Sequence, residues 1–161
     1  MPTFFTITEV IQMAIQTEKI GRDYYQGMAK KTKNPELQEL FGSLAEEEIR
    51  HEAFFKNLYQ KIKGRHYSLP YNWPELQKYL RGITESRFFT GEEKGIKQMA
   101  WAKTKEEIIK YAIGFEKETV LFYLEILNLV PPEDIGLVQE IINEEKSHIR
   151  RLAERLPKIK S

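Results

Sequence analysis

Apolar residues recur at steps of three and four along most of the chain, in four long runs. The first run takes in Ile7, Ile11, Ala14, Glu18, Gly21, Tyr25 and Met28, and the second Leu37, Phe41, Leu44, Glu48, His51, Phe55, Leu58 and Ile62. The third is Ile109, Ala112, Glu116, Thr119, Tyr123 and Ile126, and the fourth Val138, Ile141, Glu145, His148 and Leu152. Spacing of this kind belongs to helices that bury one face. Capping residues set the ends. Thr6 with Glu9 and Thr104 with Glu107 read as capping boxes, and Asn34-Pro35 supplies an N-cap followed by a first-turn proline. Gly64 is a natural C-terminal stop, and Pro131-Pro132 ends the third run. The pattern predicts helices over about 7–31, 35–63, 104–130 and 132–156, with Pro132, Glu133 and Asp134 in the first turn of the last.

Between them, residues 64–103 lose the period. Pro70, Trp73-Pro74, Gly82 and Gly91 punctuate this stretch. A structureless segment of that length would be unusual inside a domain, so it reads as a partly helical crossover. Short helices are expected near Pro74–Leu80 and Glu92–Ala102, with Thr90 and Glu93 as a further capping box. Short gaps inside each pair of long helices predict two antiparallel hairpins. The fold class expected is therefore all-α, a four-helix bundle forming one domain over 1–161.

Composition narrows the chemistry. With 161 residues, 41% hydrophobic and 30% charged, the chain is of ordinary globular type. Its 25 basic and 24 acidic residues nearly cancel, which gives no electrostatic footprint for nucleic acid. No apolar run is long enough for a membrane span, and Met1–Val10 lacks the form of a signal peptide, so a cytoplasmic location is expected. There is no cysteine, which removes disulfides, thiolate metal sites and cysteine nucleophiles. Any metal must be held by oxygen and imidazole.

The seams contain such groups where none would be expected. Each is broken near its middle by a glutamate, and on the second and fourth helices by a histidine one turn later. An ionised carboxylate buried without a partner costs several kcal/mol, and four at similar depth repel one another. No Lys or Arg occupies a central seam position, so the compensating charge must come from outside the chain. Two metal ions would supply it. Glu48 with His51, and Glu145 with His148, lie three residues apart on one helix face and can each reach one ion. Glu18 and Glu116 can act as terminal ligands, and one or two of the glutamates can bridge. Such a donor set suits iron, manganese or zinc. The arrangement also repeats internally: Glu18 to Glu48 spans 30 residues and Glu116 to Glu145 spans 29, with Tyr25 and Tyr123 each seven residues past the first glutamate.

One glutamate from each of two helices plus Glu-x-x-His from each of two others is the pattern of ferritin-like di-metal carboxylate bundles. The stretches Ala45-Glu46-Glu47-Glu48-Ile49-Arg50-His51 and Glu144-Glu145-Lys146-Ser147-His148 resemble the rubrerythrin type of that superfamily. Members proper carry a cysteine-based rubredoxin domain and a further carboxylate on the third helix; here there is no cysteine, and the neighbouring same-face positions are Ile113 and Thr119. The resemblance implies two metal ions, iron first among the candidates, and redox chemistry with O2 or hydrogen peroxide. It also implies an external electron donor protein and association as a homodimer. Iron storage or ferroxidase activity, and a structural zinc or manganese bundle, are the alternatives.

The remaining polar and aromatic residues have plainer readings. Glu46, Glu47 and Glu144 read as surface charges, and His66 as a loop residue. Arg150, Arg151, Arg155, Lys158 and Lys160 form a solvated basic end. Trp73 and Trp101 read as packing anchors for the crossover. Tyr25 and Tyr123 could hydrogen-bond metal-bound carboxylates or serve as core aromatics. Phe54, Phe55, Phe115 and Phe122 are the aromatics near the ligands that could shape access.

Overall fold

The computed structural model describes residues 6–65, 72–84 and 104–156. The expected helix near 92–102, its Thr90/Glu93 cap, and Pro70, Gly91, His66, Trp101, Lys158 and Lys160 lie outside these residues. The chain forms two compact units, Met1–Ser68 and Leu69–Ser161.

The first unit is a hairpin of α1 (Ile7–Lys31) and α2 (Pro35–Ile62). Thr6 caps α1 by accepting from the Glu9 amide at 3.1 Å. The Asn34 side chain accepts from the amides of Glu36 and Leu37 at 2.9 and 3.2 Å, with Pro35 in the first turn, where its missing N–H costs nothing. The three residues between the helices force the antiparallel register. Gln12 meets Tyr59, Glu18 meets His51, and the Tyr25 ring stacks on Phe41 at 6.0 Å between centroids. Gly64, just beyond α2, has φ of 77°, the left-handed conformation that glycine adopts without steric cost.

The second unit contains α3 (Trp73–Thr84), α4 (Lys105–Ile126) and α5 (Ile135–Ala153). α3 is longer than the expected Pro74–Leu80. It buries Trp73, Leu76, Gln77 and Leu80, one face at helical spacing, and lies against α4. Thr104 caps α4 from the Glu107 amide at 3.1 Å. α4 stops at Ile126, four residues short of the expected end. Val130 precedes Pro131 and is disfavoured in helical conformation; the chain tightens ahead of it, with Asn128 and Leu129 donating to Glu125 and Ile126 carbonyls three residues back. Pro131 is itself extended before Pro132, and Pro132–Asp134 form a single 3₁₀ turn. The α-helix expected from residue 132 therefore begins at Ile135, and ends at Ala153 where residue 156 was expected.

Every seam position of the four long helices is buried except Ile7, which is half-buried at the start of α1. Thr17 and Thr119 are buried too, and their hydroxyls donate to the Met13 and Phe115 carbonyls at 2.8 and 2.9 Å. Those two polar residues are satisfied inside their own helices. The seam glutamates and histidines are not of this kind.

Candidate metal centre

Each unit carries one triad. In the first, α1 presents Glu18, and α2 presents Glu48 and, one turn on, His51. His51 Nδ1 lies 3.5 Å from Glu18 Oε2 and 3.4 Å from Glu48 Oε2. In the second, α4 presents Glu116, and α5 presents Glu145 and His148. His148 Nδ1 lies 3.3 Å from Glu116 Oε1 and 3.0 Å from Glu145 Oε2. All six residues are at most 2% exposed. The same ring nitrogen therefore faces two carboxylates in both hairpins, as the sequence repeat implies.

These distances match the edges of a coordination polyhedron. An ion with bonds of about 2.1 Å places neighbouring donors roughly 3.0 Å apart in an octahedron and roughly 3.4 Å apart in a tetrahedron. One donor atom from each member of a triad lies within 4.8 Å of the others. Each triad thus has the donor types, spacing and burial to hold one ion, and the chain carries donors for two.

The electrostatics agree. Burial raises the Glu18 carboxyl well above its usual range, the charge on Glu48 adds to this, and His51 opposes it. Glu116 is pushed up to about 7, by burial first and then by Glu145, with His148 pulling the other way. Burial would lower His148, but the charges of Glu116 and Glu145 more than reverse it and hold its proton. Without a metal, protons fill the place of the cation. Neutral imidazole and ionised carboxylates are the ligating forms, so a metal ion would displace those protons.

The surroundings are apolar. Phe55, Phe115 and Phe122 are buried and Phe54 half-buried, with Phe54 and Phe55 ring centroids 5.3 Å apart. Tyr25 and Tyr123 are fully buried; Tyr25 packs against Tyr24 and Phe41, and Tyr123 against Phe122. Burial also raises the Tyr24 hydroxyl far above its usual value. Trp73 is buried, in keeping with a packing role. Glu46 is exposed, and Glu47 and Glu144 are half-buried. Arg150 is exposed, and Arg151 and Arg155 are half-buried.

One pair was not singled out in the sequence. Arg22 Nη1 donates to both carboxylate oxygens of Glu52, at 2.9 and 3.3 Å, joining α1 to α2. The available signal was spacing: Arg22 is four residues past Glu18, and Glu52 four past Glu48.

The family model for rubrerythrin matches residues 9–156, which include both triads. The chain belongs to the rubrerythrin family. Two solved structures place its fold. A protein of Thermotoga maritima described as ferritin-like and diiron-carboxylate superposes with a TM-score of 0.69 at 20% identity, over 98% of each chain. A hypothetical protein of Pyrococcus furiosus gives 0.66 at 28% identity, over 96% of this chain and 90% of that one. No curated protein matches significantly. The rubrerythrin-family chain is thus a helical protein of ferritin-like fold whose buried carboxylate and histidine groups suit metal ions. No helix among the described residues is long and apolar enough to cross a membrane.

Proposed function

We propose that this protein is a non-haem di-iron redox protein that reduces O2 or hydrogen peroxide with electrons from an external donor protein. Its ligands are Glu18, Glu48, His51, Glu116, Glu145 and His148. The observation that carries the reading is the pair of matching buried triads, each with a histidine Nδ1 within 3.5 Å of two carboxylates. A reduced pair of irons supplies two electrons, enough to take O2 and two protons to hydrogen peroxide, or hydrogen peroxide and two protons to water.

The residues set the conditions for that exchange. Four ionised carboxylates would balance the charge of two divalent ions. His51 and His148 would bind as neutral imidazoles. The burial of all six residues keeps bulk water away, which strengthens every charge interaction among them.

Elemental analysis of protein purified without oxygen, with optical spectra before and after peroxide, tests this. About two irons per chain and a new near-ultraviolet absorption on oxidation are expected. Iron-loaded protein inert to both O2 and peroxide would refute the redox reading. Retention of metal after all six residues are changed to Ala in a folded variant would refute the ligand assignment.

A further inference from the structure

The two hairpins repeat the ligand pattern, and among their charged differences a largely buried pair lies beside one triad. Glu18 aligns with Glu116, and Glu48 with Glu145. One turn further on, the first hairpin has Arg22 and Glu52, while the second has Val120 and Ile149. Arg22 and Glu52 pair at 2.9 Å, with side chains only 26% and 9% exposed. Lys56 Nζ lies 3.1 Å from Glu52 Oε2, and Arg22 also contacts Asp23 Oδ1 at 3.1 Å. Their four formal charges cancel, so the group adds no net charge beside the triad.

Nor is stability a sufficient reason for it. Buried ion pairs lose in desolvation much of what they gain in attraction, and well-packed aliphatic residues often replace them without loss. The second hairpin does so at the same positions, where Val120 and Ile149 are half-buried. What an ion pair has and an aliphatic pair lacks is direction. Glu52 directly follows His51 on α2, and Arg22 sits one turn from Glu18 on α1. Holding both Glu52 oxygens from one guanidinium nitrogen fixes the rotation of α2 against α1 at the level of the ligands.

Building on the metal reading above, we propose that Arg22 and Glu52 are positioning residues for the first triad, setting its affinity for a metal ion and leaving that of the second unchanged. The two metal positions are then inequivalent: one has an ion pair where the other has Val120 and Ile149.

The test is cobalt(II) titration of the metal-free full-length protein, followed by visible absorption, with thermal unfolding measured on each variant. His148→Ala leaves the first triad as reporter, and His51→Ala the second. Adding Arg22→Val with Glu52→Ile, the residues of the other hairpin, is expected to weaken binding at least tenfold in the His148→Ala background and less than twofold in the His51→Ala background. Metal-free stability should stay within a few degrees of the parent. Unchanged affinity at the first triad, or equal loss at both, overturns the proposal. So does an affinity loss that only tracks a fall in stability. Should the double replacement not fold, Arg22→Lys serves. It keeps the charge but cannot hold Asp23 and Glu52 together from one rigid plane, and a loss confined to the first triad supports the clamp, whereas no loss overturns it. Absence of cobalt binding to the unaltered protein would instead refute the metal reading itself.

Discussion

Removing metal should invert the protein's response to pH. In the metal-free fold Glu116 titrates at about 7 against an ordinary 4.5, because it is buried beside Glu145. A carboxyl raised on folding binds its proton more tightly in the native state. Its stabilising contribution is full below about pH 4.5, falls as pH rises and is gone above about 7. A shift of that size corresponds to about 3 kcal/mol. Glu18 and His148 are also raised, so they act with the same sign. For a domain of this length about 3 kcal/mol corresponds to a fall of roughly 6–12 °C in Tm. Circular dichroism melts of chelator-treated protein from pH 5 to 8 should show that decline. Metal-loaded protein should show the opposite trend, since ions compete with those protons and bind better as pH rises. Glu116→Gln must flatten the metal-free profile. Because the charge of Glu145 helps raise Glu116, Glu145→Gln should flatten it as well. A metal-free Tm that is level or rises between pH 5 and 7 would refute the reasoning, as would an undiminished slope in both glutamine variants.

Other expectations are simpler. His148→Ala should lower the metal content of folded protein from about two ions to about one, read by elemental analysis; retention of two would remove His148 from the ligand set. At free metal one hundred times Kd, loaded protein should be more stable than chelated protein by about 2.7 kcal/mol for each ion bound, visible as a higher Tm at pH 7.5. Asn34→Ala removes an acceptor for two amides at the start of α2 and should cost about 1 kcal/mol in urea unfolding. Gly64→Ala places a Cβ on a residue with φ of 77°; it should cost about 1 kcal/mol by the same measurement.

Most of the fold was legible because helix period and caps are local. Thr6, Asn34 and Thr104 each cap the helix their sequence announces. Errors gathered where one constraint reaches back along the chain. Apolar Leu127, Leu129 and Val130 continue the hydrophobic run of α4, and Leu129 and Val130 are indeed buried. Pro131 nonetheless forbids Val130 a helical backbone, and the last turn tightens to reach the proline pair. Hydrophobicity reported burial correctly there but not conformation. α3 shows the reverse case. Gly82 suggested an end, yet a single helical glycine costs only about 1 kcal/mol, less than the packing of Trp73, Leu76 and Leu80 supplies.

The site was legible for a different reason. Glu48 stands among Glu46, Glu47 and Glu52, and composition cannot separate them. Register does: Glu48 and His51 fall in line with Leu44 and Phe55, and all four are buried. Glu52 falls one position off that line, and nothing on its own helix marks it. In the structure it is buried because Arg22, on the other helix, comes to meet it. A seam can be read from one helix at a time, whereas an ion pair across two helices needs their relative rotation. The hidden element is therefore the one that depends on how α1 and α2 are turned against each other, the same quantity that brings Glu18 to His51. If Arg22 and Glu52 set that rotation, the residues hardest to see in the sequence are those that make the first triad differ from its repeat.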